Sequence, residues 1–211
     1  RLSHDIVPRI PPNMPQVPPN RFTRWMGRTF LRVFGWKIVG KLPDIPKLVM
    51  IVAPHSSNWD GIWGMAAKIA MGFQVRVLGK AQLFWWPLSP LLRKLGVVPV
   101  DRSSPQGTVE QAVRMIRQSD RMWFALTPEG TRKQAAQIKS GFYYIAYEAQ
   151  IPIVMFSFDY AKKTIHCLGV FEPTGNYEQD LEQILQRYEG HFSPKNPDWL
   201  AKPLQKRWKN R

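Results

Sequence analysis

Three short stretches of this chain combine residue types that can move a proton or hold an anion. The first is His55-Ser-Ser-Asn-Trp-Asp60, a His-x-x-x-x-Asp directly after an apolar run. An imidazole that titrates near neutrality can take the proton of a hydroxyl nucleophile. A carboxylate beside it can fix its tautomer and stabilise the imidazolium that forms. A four-residue gap suits a loop that folds back, with Asp60 in the first turn of the next helix. The same spacing also fits a carboxylate that merely favours a helix start.

The second stretch is Thr127-Pro-Glu-Gly-Thr-Arg132. Gly130 permits close backbone approach, Thr131 offers a hydroxyl, and Arg132 offers a planar guanidinium suited to phosphate. Glu129 can orient the loop or a basic neighbour. The third is Gly79-Lys80-Ala-Gln-Leu-Phe84, followed by the aromatic run Trp85-Trp86-Pro87 and then by Val98-Pro-Val-Asp-Arg102. Lys80 and Arg102 interrupt largely apolar runs. The aromatic stretch suits an apolar tunnel or a bilayer contact, and salt-bridged cations in a buried core segment are the plainer alternative.

The elements that must position these loops are legible in the hydrophobic pattern. Leu48–Ala53, Val75–Leu78, Val97–Val100, Met122–Leu126, Pro152–Phe158 and Thr164–Val170 read as strands. Trp59–Met71, Leu88–Leu95, Gly141–Ala149 and Tyr177–Tyr188 read as helices. Thr108-Val-Glu-Gln111 offers a capping box for a further helix to about Gln118. Alternation of this kind predicts a single-domain α/β fold, a mostly parallel or mixed central sheet flanked by helices. The chemistry-bearing loops each follow a strand, and ligands collect at the carboxyl ends of strands in open α/β sheets. A base, an orienting carboxylate and phosphate-binding cations around one site suit acyl transfer to a hydroxyl on a phosphorylated lipid.

Around this domain, spanning residues 41–194, the sequence predicts a proline-rich arm over 1–20, a basic amphipathic segment over 21–40, and a basic tail over 195–211. Arg21, Arg24, Arg28 and Arg32 recur at helical spacing, with Phe22, Trp25, Met26, Phe30 and Val33 filling much of the other side. That pattern fits a helix lying in a membrane interface, and equally a helix packed on its own domain with a solvated basic edge. Residues 1–48 hold nine Lys and Arg against Asp5 and Asp44, a net of +7 within a total of +15. An anionic partner follows, whether a membrane surface, an acidic carrier or nucleic acid. The single cysteine, Cys167, excludes an internal disulfide and a cysteine-based zinc cluster. It lies in an alternating apolar run and reads as a small hydrophobe. No uninterrupted apolar stretch is long enough for a spanning helix. The sequence opens at Arg1, which leaves room for a removed upstream segment.

The ordered blocks His55–Asp60, Gly79–Phe84, Val98–Arg102, Thr127–Arg132 and Ile151-Pro-Ile-Val154, with Lys139-Ser-Gly141 between the last two, resemble the motif blocks of the glycerophospholipid acyltransferase family. The lysophosphatidate (1-acylglycerol-3-phosphate) acyltransferase branch is the most similar. Thr127 stands where that family commonly has Phe, and Met155 where a second Pro is common. The resemblance implies that His55 is the general base and Asp60 its orienting carboxylate. It implies that Glu129, Gly130, Thr131 and Arg132 bind the glycerol-phosphate region of the acceptor, with Arg102 and Lys80 nearby. The acyl donor would be a thioester of coenzyme A or acyl carrier protein, serving as co-substrate, with no cofactor and no metal. The expected partners are a lysophospholipid and an anionic membrane surface, with no nucleic acid. The expected location is the cytoplasmic side of the membrane, peripheral or monotopic. Another lyso-lipid acceptor, a thioesterase using the same histidine, and a non-enzymatic basic binding module are the alternatives.

Overall fold

The computed structural model describes residues 5–80, 82, 84–100, 103–129 and 134–209, the side chains of Lys80 and Lys209 excepted. Its centre is a seven-stranded sheet in the order β1-β7-β6-β2-β5-β3-β4. The strands are β1 (Lys37–Val39), β2 (Lys47–Ala53), β3 (Arg76–Lys80), β4 (Val97–Val100), β5 (Met122–Leu126), β6 (Ile153–Asp159) and β7 (Thr164–Phe171). Strands β2 to β6 are mutually parallel, whereas β7 runs antiparallel to β6 and carries β1 parallel to itself. The carboxyl ends of five strands therefore open on one edge. The registers Ile51↔Leu126 and Ala53↔Ser157 bring the ends of β2, β5 and β6 side by side.

Alternation along the buried strands divides the core in two. Val49, Ile51 and Ala53 of β2, with Ile153 and Met155 of β6, face a cluster shared with α4 (Pro105–Gln118), α5 (Gly141–Ala149), α6 (Tyr177–Tyr188) and α7 (Lys202–Lys209). Leu48 and Met50, with Val154, Phe156 and Phe158, face α1 (Arg21–Val33) and α2 (Trp59–Met71). A short helix, α3 (Leu88–Lys94), leads into β4. This is the α/β architecture that the hydrophobic pattern predicts, down to identical bounds for α2, α5, α6, β4 and β5.

The departures have local causes. Helix α4 begins at Pro105, three residues before the anticipated box. Ser104 Oγ accepts from Gly107 N–H at 3.0 Å, and proline suits the first helical position, where no amide bond is lost. The proline-rich stretch does not stand away from the domain. Val7 and Met14 are buried, and Ile38 N–H donates to Ile6 O at 2.8 Å. The basic tail likewise folds as α7, with Leu200, Ala201 and Leu204 in the core.

Helix α1 starts at Asn20, whose side chain accepts from Phe22 and Thr23 N–H. It meets α2 through Gly27 and Leu31; a Cβ on Gly27 would stand 2.6 Å from Ala70 N, so only glycine permits this approach. Arg28 Nε donates to Ala70 O at 3.3 Å, placing a cation at the negative end of α2. The aromatic side points outward instead: Trp25 is 61% and Val33 73% exposed, with Phe22, Met26, Phe30 and Phe34 also open. The helix is therefore packed on its own domain, but through Gly27 and Leu31 rather than through its aromatic face.

Candidate active site

Strand β2 is almost wholly buried and delivers His55 just past its carboxyl end. His55 Nδ1 lies 3.2 Å from Asp60 Oδ2, in the first turn of α2. An ionised carboxylate only accepts, so a contact of this kind suits an Nδ1–H donor and leaves Nε2 as the acceptor nitrogen of the ring. Asp60 is 3% exposed. Its Oδ2 also accepts from the N–H groups of Ser56 at 2.9 Å and Ser57 at 3.1 Å, and its Oδ1 accepts from the Tyr160 hydroxyl. The fold-back loop predicted from spacing is thus cinched by the carboxylate itself. The four-residue gap allows Asp60 to reach both the ring and the two amides between.

The next strand supplies Glu129. Its carboxylate is 0% exposed; Oε1 accepts from His55 N–H at 2.6 Å and Oε2 from Ala201 N–H at 3.2 Å. Burial raises its pKa, and the two backbone donors and the His55 side chain pull the other way. The family resemblance implies an acceptor contact for Glu129. In the structure both of its oxygens accept from main chain, one of them from the backbone of His55. Gly130, Thr131, Arg132 and Arg102 lie outside the described residues, as does the side chain of Lys80.

Two further groups brace the loop from places that motif reading missed. Ser56 Oγ accepts from Lys195 N–H at 3.0 Å, so the segment before α7 supports the loop from below. Tyr160 arrives from the carboxyl end of β6, one strand over from β2. The rule that drew attention to the loops after β2 and β5 applies to β6 equally, and would have found Tyr160. Cys167 is half-buried, and burial pushes its thiol up, in keeping with an inert residue.

Near the pair runs an apolar groove of about 810 Å³ between α1 and α2, lined by Trp25, Met26, Phe30, Ile62, Met65 and Ile69, and by Asn58 and Gly61, which flank Trp59 and Asp60 in sequence. Trp59 and Ile62 of α2 add exposed apolar area beside it, and Trp85 and Trp86 (83% open) are exposed between β3 and α3. Lone exposed hydrophobes are ordinary, but this many together mark a contact surface. No helix among the described residues is long and apolar enough to cross a membrane.

Comparison with known proteins bears on these features. The model of the Acyltransferase family matches residues 39–159, from β1 to the end of β6. The 1-acyl-sn-glycerol-3-phosphate acyltransferase of Streptococcus pneumoniae is 27% identical over 121 residues, which cover 54% of this chain and 42% of that protein. The probable 1-acyl-sn-glycerol-3-phosphate acyltransferase of Mycoplasma pneumoniae is 32% identical over 157 residues, 69% of this chain and 58% of that one. The chain thus spans about half the length of the curated relatives it matches. Among solved structures, the 1-acyl-sn-glycerophosphate acyltransferase of Thermotoga maritima has a similar fold. Its TM-score is 0.55, over 79% of this chain and 74% of that one, at 14% identity.

Proposed function

Because the chain belongs to the Acyltransferase family, we propose that it is an O-acyltransferase that moves an acyl chain from a thioester to the free hydroxyl of a 1-acyl-glycerol-3-phosphate at a membrane surface. The observation that carries the reading is the His55 Nδ1–Asp60 Oδ2 contact of 3.2 Å at the carboxyl edge of the sheet. His55 Nε2 takes the acceptor hydroxyl proton as that oxygen attacks the thioester carbonyl. The tetrahedral intermediate then collapses, the C–S bond breaks, and the imidazolium returns its proton to the departing thiolate. The products are an ester and a free thiol, and the step requires neither metal nor cofactor. The names of the two curated relatives support the acceptor class.

In this reading Asp60 orients the base, and Arg132, with Arg102 and Lys80, receives the acceptor phosphate. Glu129 acts from beneath, holding the backbone of His55 rather than touching the acceptor. Arg132→Ala is accordingly expected to raise the acceptor KM about tenfold or more and the donor KM hardly at all, in steady-state kinetics with each substrate varied. An unchanged acceptor KM would remove Arg132 from the phosphate site. The apolar groove beside Asn58 and Gly61 suits an acyl chain, which buries about 0.8 kcal/mol for each methylene it hides.

The outward aromatic face of α1 is the membrane contact, with the basic residues of the first 48 positions adding about 1 kcal/mol each near an anionic surface. Replacing Phe22, Trp25 and Met26 together by Ser should weaken binding to phosphatidylglycerol vesicles in a sedimentation assay without lowering Tm, because none of the three is buried. Retained binding would return α1 to a purely structural role. The reading as a whole is tested with purified protein against a panel of lysophospholipids, each offered with acyl-CoA and with acyl carrier protein, scored by lipid product. Acylated lysophosphatidate from either donor is the expected result. Thioester hydrolysis without lipid product would overturn it.

A further inference from the structure

We infer that Tyr160 is a positioning residue for this reaction, its hydroxyl holding the Asp60 carboxylate in the rotation that presents Oδ2 to His55 Nδ1. The inference rests on the assignment of His55 and Asp60 as the catalytic pair.

The two oxygens of Asp60 are loaded unequally. Oδ2 meets His55 Nδ1, Ser56 N–H and Ser57 N–H, whereas Oδ1 accepts from Tyr160 alone among the described residues. A carboxylate turns easily about its terminal torsion, which is broad and two-fold. Asp60 is almost fully buried, so a lost donor on Oδ1 is poorly replaced by water. Without Tyr160, Oδ1 has no donor among the described residues and competes for the same N–H groups, and the alignment with the imidazole loosens.

Tyr160 is itself well held. Its ring stands edge-on to Trp36 at 5.2 Å between centroids and tilts against Phe158 at 6.3 Å. Trp36 in turn stacks on Trp63 of α2, the helix that carries Asp60, at 4.8 Å and 22°. The Tyr160 N–H donates to Ser193 O at 3.3 Å. Donor and acceptor are thus fixed to one aromatic stack. Burial, and then the neighbouring Asp60, hold the phenol far above its ordinary range, so it stays a donor wherever the enzyme works. Tyr160 lies one residue beyond the segment that the family model matches, and it completes a site to which three adjacent strands, β5, β2 and β6, each contribute a side chain.

The test is Tyr160→Phe, which keeps the ring and removes only the hydroxyl. The expected result is a fall in kcat of about tenfold or more, short of the ~10²–10⁴ a whole general base supplies, with both KM values within about twofold. In an Asp60→Asn background the same substitution should cost nothing further, since the group it acts through is gone. Nitrogen NMR of ¹⁵N-histidine-labelled protein, with the His55 signals assigned by their loss in His55→Ala, gives a readout independent of turnover. Wild type should show one tautomer, protonated at Nδ1, and Tyr160→Phe an averaged pair. Unchanged kcat with an unchanged tautomer would overturn the inference, as would losses that add fully in the double variant. If His55→Ala itself retains transfer, it is the acyl-transfer mechanism that fails, and the tautomer measurement still judges Tyr160.

Discussion

Replacing His55 by Ala is expected to lower acyl transfer by about three orders of magnitude or more, leaving Tm and vesicle binding at wild-type values. The separation of effects follows from how the residue is held. The side chain is 22% exposed, and among the described residues its one polar contact is to Asp60. The contact that fixes the loop, from His55 N–H to Glu129, belongs to the backbone and survives the substitution. The proposed vesicle-binding face lies on α1, which the change does not touch. Radiolabelled acyl-CoA or acyl carrier protein turnover, read with calorimetry and vesicle sedimentation on one preparation, checks all three. Transfer at the wild-type rate would take His55 out of the mechanism.

Glu129→Ala should do the reverse, damaging the fold and the activity together. It strips partners from His55 N–H and Ala201 N–H in a dry interior and leaves a cavity, at a cost of about 3 kcal/mol. For a domain of this size that is a drop in Tm of about 6–12 °C. Glu129→Gln keeps the shape and serves as a reference without a titrating group. Because burial raises the folded-state pKa of Glu129 above its unfolded value, the native state binds a proton more readily. The stability that Glu129 adds relative to Gln is therefore fully present below the unfolded carboxyl pKa and is lost as pH rises through the raised value. Denaturant melts of the two proteins across the acid range should converge upward in pH. Parallel curves would show that the carboxylate keeps an ordinary pKa, its backbone donors offsetting the burial.

Much of this was legible because it obeys local rules. The helices from Trp59 and Tyr177 and the strand Met122–Leu126 carry strong periodicity between clear breakers, and the structure returns them unaltered. The His-x-x-x-x-Asp loop was readable from its place after a buried strand, and its two ends do meet. What escaped depends on partners distant in sequence. β1 is three residues long and exists by lying along β7, a pairing no local pattern announces. Met14 is buried inside a proline-rich run and Leu204 inside a basic one, so charge and breaker residues concealed isolated core positions. Glu129 looked like a ligand-facing acid because it sits among Gly, Thr and Arg. In the fold both of its oxygens accept from backbone, of residues 74 behind it and 72 ahead. Burial of a charged side chain is a tertiary property, and spacing alone does not reveal it.

The antiparallel turn from β6 into β7 also decides where the protein can be cut. The segment shared with the family model stops at the last residue of β6, so a chain trimmed to it would lose β7 and leave β6, all seven residues of it buried, as a bare sheet edge. An open apolar edge recruits other chains. The same cut would strip Ile184, Leu185, Tyr188 and Leu204 from one side of the sheet, and Met14 and Leu31 from the other. The segment that the family model matches is thus not an autonomous folding unit in this chain. Moving the matched segment into another protein means carrying the flanks as well, because here sequence on either side covers its apolar faces.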